Sequence, residues 1–195
     1  DDGDAFVAWF SADLGTLNQA TYLGGARDDA GRSIAIHPVN GEVYVSGNTS
    51  SINFPVTAGG AQPTNSAPAI GNEEAFVARL TADLTVINQA TYYGSFGTED
   101  VSNSLAIHPT TGEVYVAGQT NLSAALPGTT GGAQPASGGS QDMFVVRFGA
   151  ALTTLGQATY LGGTDIEGID TYVVDDGIGR SLIIHPGTGD IYVSG

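Results

Sequence analysis

No cysteine and no lysine occur in this chain of 195 residues. The first absence excludes disulfides, thiolate nucleophiles and thiolate metal sites. The second excludes a Schiff-base lysine and the lysine of a phosphate-binding loop. Positive charge is scarce altogether: five arginines stand against 20 acidic residues, for a formal net charge of −15. Phosphate backbones and anionic membrane surfaces require a basic footprint, so this balance argues against a nucleic-acid or membrane partner. Long hydrophobic runs are missing as well, since no stretch approaches the roughly 18 apolar residues of a membrane-spanning helix. The chain opens on Asp1 without a basic-then-apolar leader, which reads as a mature, trimmed or excerpted sequence. Lack of cysteine together with few charges and abundant Gly, Ser and Thr reads as an extracellular protein.

What is present is one sentence written three times. FVAWF at 6–10 returns as FVARL at 76–80 and FVVRF at 144–148. NQATYLGG at 18–25 returns as NQATYYGS at 88–95 and GQATYLGG at 156–163. GEVYVSG at 41–47 returns as GEVYVAG at 112–118 and GDIYVSG at 189–195. A period of about 70 residues marks a modular array. Residues common to all copies are then read as architectural, and a chemical site is expected only where one copy departs from the others.

Each copy contains four segments with strand character, separated by turn chemistry. The first alternates, with Phe6, Ala8 and Phe10 on one face and Val7 and Trp9 on the other. The first face stays apolar in every copy, while Trp9 becomes Arg79 and Arg147. The first face is therefore expected to be core and the second to be partly wet. The second segment is QATYLGG and its copies. The third is SIAIHP, SLAIHP or SLIIHP, ended by a proline that cannot donate to a sheet ladder. The fourth is the YVSG-type strand. His and Tyr lie only seven positions apart in each copy (His37–Tyr44, His108–Tyr115, His185–Tyr192), which predicts a hairpin between segments three and four. Phe6, Phe76 and Phe144, with Tyr44, Tyr115 and Tyr192, are the expected core.

The fold class expected is all-β, with tandem four-stranded antiparallel blades of β-propeller type in three repeats. Blade 1 is placed at 1–55, a linker at 56–72, blade 2 at 73–122, a second linker at 123–140 and blade 3 at 141–195. The third copy carries an inserted loop at about 164–179. The linkers are rich in Gly, Pro, Ser and Thr, as surface loops are. DAFVA at 4–8, TYLGG at 21–25, VYVSGNTSSINFP at 43–55 and GGAQP at 59–63 and 131–135 resemble the bacterial extracellular β-propeller repeat known as the SBBP repeat. The resemblance covers essentially the whole chain and implies a secreted or surface-displayed scaffold, without an agreed reaction or ligand. The chain departs from it at Trp9, Arg79 and Arg147, where the family has Lys, and at the His-Pro pairs, where it has Asp. Propellers close with about four to eight blades. Three repeats leave three outcomes open: a longer array, a ring completed by several chains, or units that run on without closing.

Candidate chemistry is sparse. The acidic pairs Asp28-Asp29, Glu99-Asp100 and Asp175-Asp176 recur before the third segment. They are either solvated loop charges or ligands for calcium, which takes about six to eight oxygens from carboxylates and loop carbonyls. No cofactor is required by any motif. The acidic residue ahead of each first strand (in DDGD, NEE and SQD) reads as a turn cap. His37, His108 and His185 each precede Pro at a hairpin turn and read as turn residues. Trp9, the only tryptophan, reads as a packing contact between blades or subunits. No G-x-S-x-G elbow is present, and catalytic residues are expected to be none. The expected role is a structural or adhesive extracellular protein that associates with copies of itself, and with glycans or surface proteins, as a filament or surface-array subunit. The alternatives are a closed propeller that binds a sugar or protein, and a propeller hydrolase.

Overall fold

The computed structural model describes residues 3–195 except 70, 98, 122–124, 140 and 165–180. The inserted loop of the third copy lies outside the described residues. Among the described residues the chain is all-β, without helix. Copy one supplies β1 (Ala5–Phe10), β2 (Leu17–Leu23), β3 (Asp29–Ile36) and β4 (Val43–Thr49). Copy two supplies β5 (Glu74–Leu80), β6 (Ile87–Tyr93), β7 (Asp100–Ile107) and β8 (Val114–Asn121). Copy three supplies β9 (Gln141–Phe148), β10 (Leu155–Leu161), β11 (Ser181–Ile184) and β12 (Ile191–Ser194). The hairpins expected between segments three and four are present as β3–β4, β7–β8 and β11–β12, all antiparallel.

The sheets are out of phase with the sequence repeat by two strands. One four-stranded sheet runs β3-β4-β5-β6 and the next β7-β8-β9-β10, each built from the second half of one copy and the first half of the following copy. Two-stranded sheets remain at the ends, β1-β2 and β11-β12. Consequently the segments expected as linkers, 56–72 and 123–140, join neighbouring strands within a sheet. The passage from sheet to sheet is made by the short connection after β2 or β6. The GGAQP segments run back along the outer strand: Tyr92 N–H donates to the Gln62 carbonyl at 3.0 Å and Tyr160 N–H to that of Gln134 at 2.9 Å.

Neighbouring sheets pack in series, β1 against β3, β3, β4 and β5 against β7, and β7 and β8 against β11. The core divides accordingly into two layers. Ala5, Val7 and Leu23 meet Val45, Phe76 and Leu80 in the first. Tyr44, Val77 and Tyr93 meet Phe144, Val146 and Phe148 in the second. Both faces of the central strand β5 are thus buried apart from Arg79, and the partly wet position expected on the second face is found at Trp9, Arg79 and Arg147. The constant glycine of the YVSG strand has a local cause. A bulge in β3 between Gly31 and Ser33, repeated in β7 between Ser102 and Ser104, drives the Ala30 and Val101 carbonyls against Gly47 and Gly118, where no Cβ would fit.

Among the described residues Leu14, Val56, Leu84 and Leu152 adopt positive φ without being glycine, and Val56 is the β-branched one. Val56 adopts φ 56°, whereas its counterpart in the next link, Gly128, adopts φ 77°. A β-branched residue is a genuine outlier there, because its Cβ crowds the following carbonyl. The Val56 carbonyl is held by Ala90 N–H at 2.9 Å, as that of Gly128 is by Ala158 N–H, so the chain cannot relax. Val56→Gly relieves about 1–2 kcal/mol of strain and costs about 0.5–1 kcal/mol of backbone entropy. A small rise in melting temperature is expected, and a fall overturns the strain assignment.

Candidate functional site

The feature that sets parts of this repeat apart from their own copies is exposure at the two ends. Phe6 is 72% exposed, whereas Phe76 and Phe144 are fully buried. Tyr22, Phe10 and Leu14 are exposed; their counterparts Tyr92, Leu80 and Leu84, and Tyr160, Phe148 and Leu152, are buried. The expectation of Phe6 in the core is corrected by this. Among the described residues β1-β2 packs through its other face, where Ala5 and Val7 are buried. At the other end Tyr192 is 55% exposed, whereas Tyr44 is fully buried and Tyr115 half-buried. Tyr192 is corrected in the same way, and Tyr115 in part.

Both ends also present an unused strand edge. β1 pairs only with β2, and β12 only with β11, among the described residues. In the interior the equivalent edges are joined, β4 to β5 and β8 to β9. A groove of about 440 Å³ lies along β12, lined by Tyr115, Val145, Arg147, Ile191 and Val193 among others. A smaller one of about 200 Å³ lies along β1, lined by Trp9, Phe10, Ile34, Ile36 and Val43 among others. Trp9 is about half exposed on this edge. It occupies the position at which Arg79 reaches Glu42 at 3.4 Å and Arg147 reaches Glu113 at 3.3 Å.

In the two acidic pairs that are described, one acid is exposed and its neighbour buried. Successive residues of a strand point to opposite faces, and the pairs Asp28-Asp29 and Glu99-Asp100 are split accordingly. Asp28 and Glu99 are exposed, the first accepting from Gly3 N–H at 2.8 Å and the second from Asn121 Nδ2 at 2.7 Å. Asp29 and Asp100 are buried, and each accepts a backbone N–H, from Gly25 at 2.7 Å and Ser95 at 2.9 Å respectively. Asp175 and Asp176 lie outside the described residues. Among the described residues, no three His, Asp or Glu side chains gather where they could hold a metal ion.

The buried acids instead meet the acid ahead of the first strand, a partnership that adjacency in sequence concealed. Asp4 and Asp29 crowd Gly24, and Glu74 and Asp100 crowd Gly94 in the equivalent place. These acids fasten the link loops. Glu74 accepts from the Ser66 N–H at 2.5 Å and the Ser66 hydroxyl at 2.6 Å, and from Gln62 Nε2. Asp142 accepts from Gly138 N–H at 2.7 Å. Burial pushes the Asp29 carboxyl above its ordinary range and the Glu74 carboxyl up to about 7. The one signal in the sequence was the acid that persists before AF or MF.

The three histidines serve their own turns. Nδ1 of His37, His108 and His185 accepts backbone N–H groups two and three residues on, at 3.0–3.5 Å. The far edges of His37 and His108 abut the turn glycines Gly112 and Gly189 of the next copy. No family model and no curated protein matches the chain.

Proposed function

We propose that this protein is a non-enzymatic, structural or adhesive extracellular repeat protein that associates with copies of itself as a filament or surface-array subunit. Its four-stranded sheets are read as propeller-type blades, stacked in series. The observation that carries the reading is the packing in series of like sheets built from one repeated sequence. Such a series can be extended by further like units, and a head-to-tail contact that does not close produces a filament. The resemblance to the SBBP repeat points in the same direction.

The test is electron microscopy of the protein with sedimentation across a concentration series. Filaments or arrays with a regular axial repeat are expected. Because each 195-residue chain carries −15, like charges oppose association, and added salt should promote it by screening. Discrete rings would favour the closed binding module. A monomer at all concentrations would remove the reading.

A further inference from the structure

We propose that the Ser66 hydroxyl attacks the side-chain amide of Gln62, with Glu74 as general base, closing an intramolecular Ser–Gln ester and releasing ammonia. The step goes beyond the self-association proposed above and does not depend on it. It happens once in each chain and turns over no substrate.

The parts of an acyl transfer meet where the first link loop folds onto β5. Ser66 Oγ donates to Glu74 Oε1 at 2.6 Å, the reach at which a base takes a hydroxyl proton. Gln62 Nε2 donates to that hydroxyl oxygen at 3.2 Å, which sets Oγ no more than one amide bond of about 1.3 Å farther from the amide carbon. Nε2 also donates to the same Glu74 Oε1. One carboxylate oxygen thus touches both the nucleophile that must lose a proton and the leaving nitrogen that must gain one. Gly94 N–H donates to Gln62 Oε1 at 3.2 Å, so a backbone donor sits where negative charge develops as the amide carbon becomes tetrahedral.

The step balances within the chain. The Cδ–Oγ bond forms as Glu74 takes the Oγ proton. The tetrahedral carbon then expels Nε2, which leaves as ammonia carrying that proton, and Glu74 is regenerated. Burial pushes the Glu74 carboxyl up to about 7, so both of its forms are present near neutrality, as a proton shuttle requires. The reactants are held in place. Gln62 N–H donates to Thr91 Oγ1 at 2.8 Å, and the Gln62 carbonyl accepts from Tyr92 N–H at 3.0 Å. Glu74 is fully buried, and its Oε2 accepts from Ser66 N–H at 2.5 Å. Groups fixed in this way react at high effective molarity. A groove of about 380 Å³, lined by Gln62, Ser66, Gly94 and Phe96 among others, gives ammonia a way out.

The next link is an internal control. Gln134 is placed as Gln62 is, and its Oε1 accepts from Gly162 N–H at 3.2 Å. Gly138 stands at the place of Ser66, however, and Asp142, shorter by one methylene, at that of Glu74. Asp142 accepts from Gly138 N–H at 2.7 Å, and Gln134 Nε2 turns to the Ala136 carbonyl at 3.2 Å. The glutamine and the backbone contacts are therefore shared architecture. The serine and the longer acid occur together in one link and not in the other, and such a departure between copies is where chemistry is expected. A chain without cysteine or lysine can form neither a disulfide nor a lysine isopeptide bond. An ester fastens the loop with residues that it does have.

Newly synthesised full-length chain is followed by intact-mass spectrometry at neutral pH, beside Ser66→Ala and Glu74→Gln. The native chain should lose one ammonia. Ser66→Ala should lose none, and the glycine at the equivalent place of the other link shows that the loop forms without this side chain. Glu74→Gln should react at least about a hundredfold more slowly, the usual worth of a positioned general base. Opening the product with mild base in heavy-oxygen water should leave labelled glutamate at position 62 and an unlabelled Ser66. An unchanged mass in the native chain overturns the proposal. So does an ammonia loss that persists in Ser66→Ala, or a label at Asn65, since either places the loss on an asparagine imide. A Glu74→Gln chain that reacts as fast as the native one overturns the role given to Glu74.

Discussion

Phe76→Ala should destabilise the fold by about 3–5 kcal/mol, the usual cost of truncating a buried phenylalanine, whereas Phe6→Ala should change it by less than about 0.5 kcal/mol in the unassembled chain. The two residues occupy the same place in the repeat. Phe76 is fully buried, its ring centroid 4.4 Å from that of Phe54 and its strand flanked on both edges by β4 and β6. Phe6 sits on a strand with one neighbour and an open face. Against a typical total stability of about 5–15 kcal/mol, the first substitution removes a large share and the second almost none. Denaturant melts of the dilute proteins measure both. A loss below about 1 kcal/mol for Phe76→Ala would mean that its face of β5 is not core.

This contrast also shows what a repeat discloses and what it hides. The strands were legible because alternation and turn residues act locally, and the β3–β4, β7–β8 and β11–β12 hairpins because seven residues leave the chain no other route. The phase of the sheets was not legible. Long, Gly- and Pro-rich links invite a boundary between 55 and 73, yet β4 and β5 are direct hydrogen-bonded neighbours, and the brief connection at 24–28 is the one that changes sheets. Strand partners are chosen by which edges and faces can be buried together, and a repeat offers the same edges in every copy. Phe6 and Tyr192 were misplaced for the same reason, since a repeat position guarantees a side chain's chemistry but not the presence of the neighbour that covers it. For the acids, adjacency suggested pairs such as Asp28-Asp29 and Glu99-Asp100. The strand period separated them and brought Asp29 toward Asp4 and Asp100 toward Glu74, partners about 25 residues away.

Stability should fall by about 3 kcal/mol as pH rises from about 4.5 to 7, and Glu74→Gln should abolish most of that fall. Glu74 is fully buried at the start of β5. Burial is the dominant cause that raises its carboxyl from an ordinary 4.5 to about 7, and the nearby Asp100 carboxylate adds to it. The hydrogen bonds from Ser66 favour the ionised form but do not offset the loss of water. Between those two pH values the folded chain keeps a proton that the unfolded chain has released, so the folded state binds more protons and loses stability as pH increases. Below about 4.5 both states are protonated and the stabilisation is fully present; above about 7 it is gone. Asp29, also raised by burial, acts in the same direction. General repulsion among surface carboxylates would favour low pH too, which is why the variant matters. Glutamine preserves the shape and an acceptor for Ser66 while removing the titration. Melts at pH 5 and pH 8 should show a large difference for the native chain and a small one for Glu74→Gln, with the variant the more stable of the two at pH 8. An unchanged pH slope in the variant would place the titration elsewhere, on the surface charge as a whole.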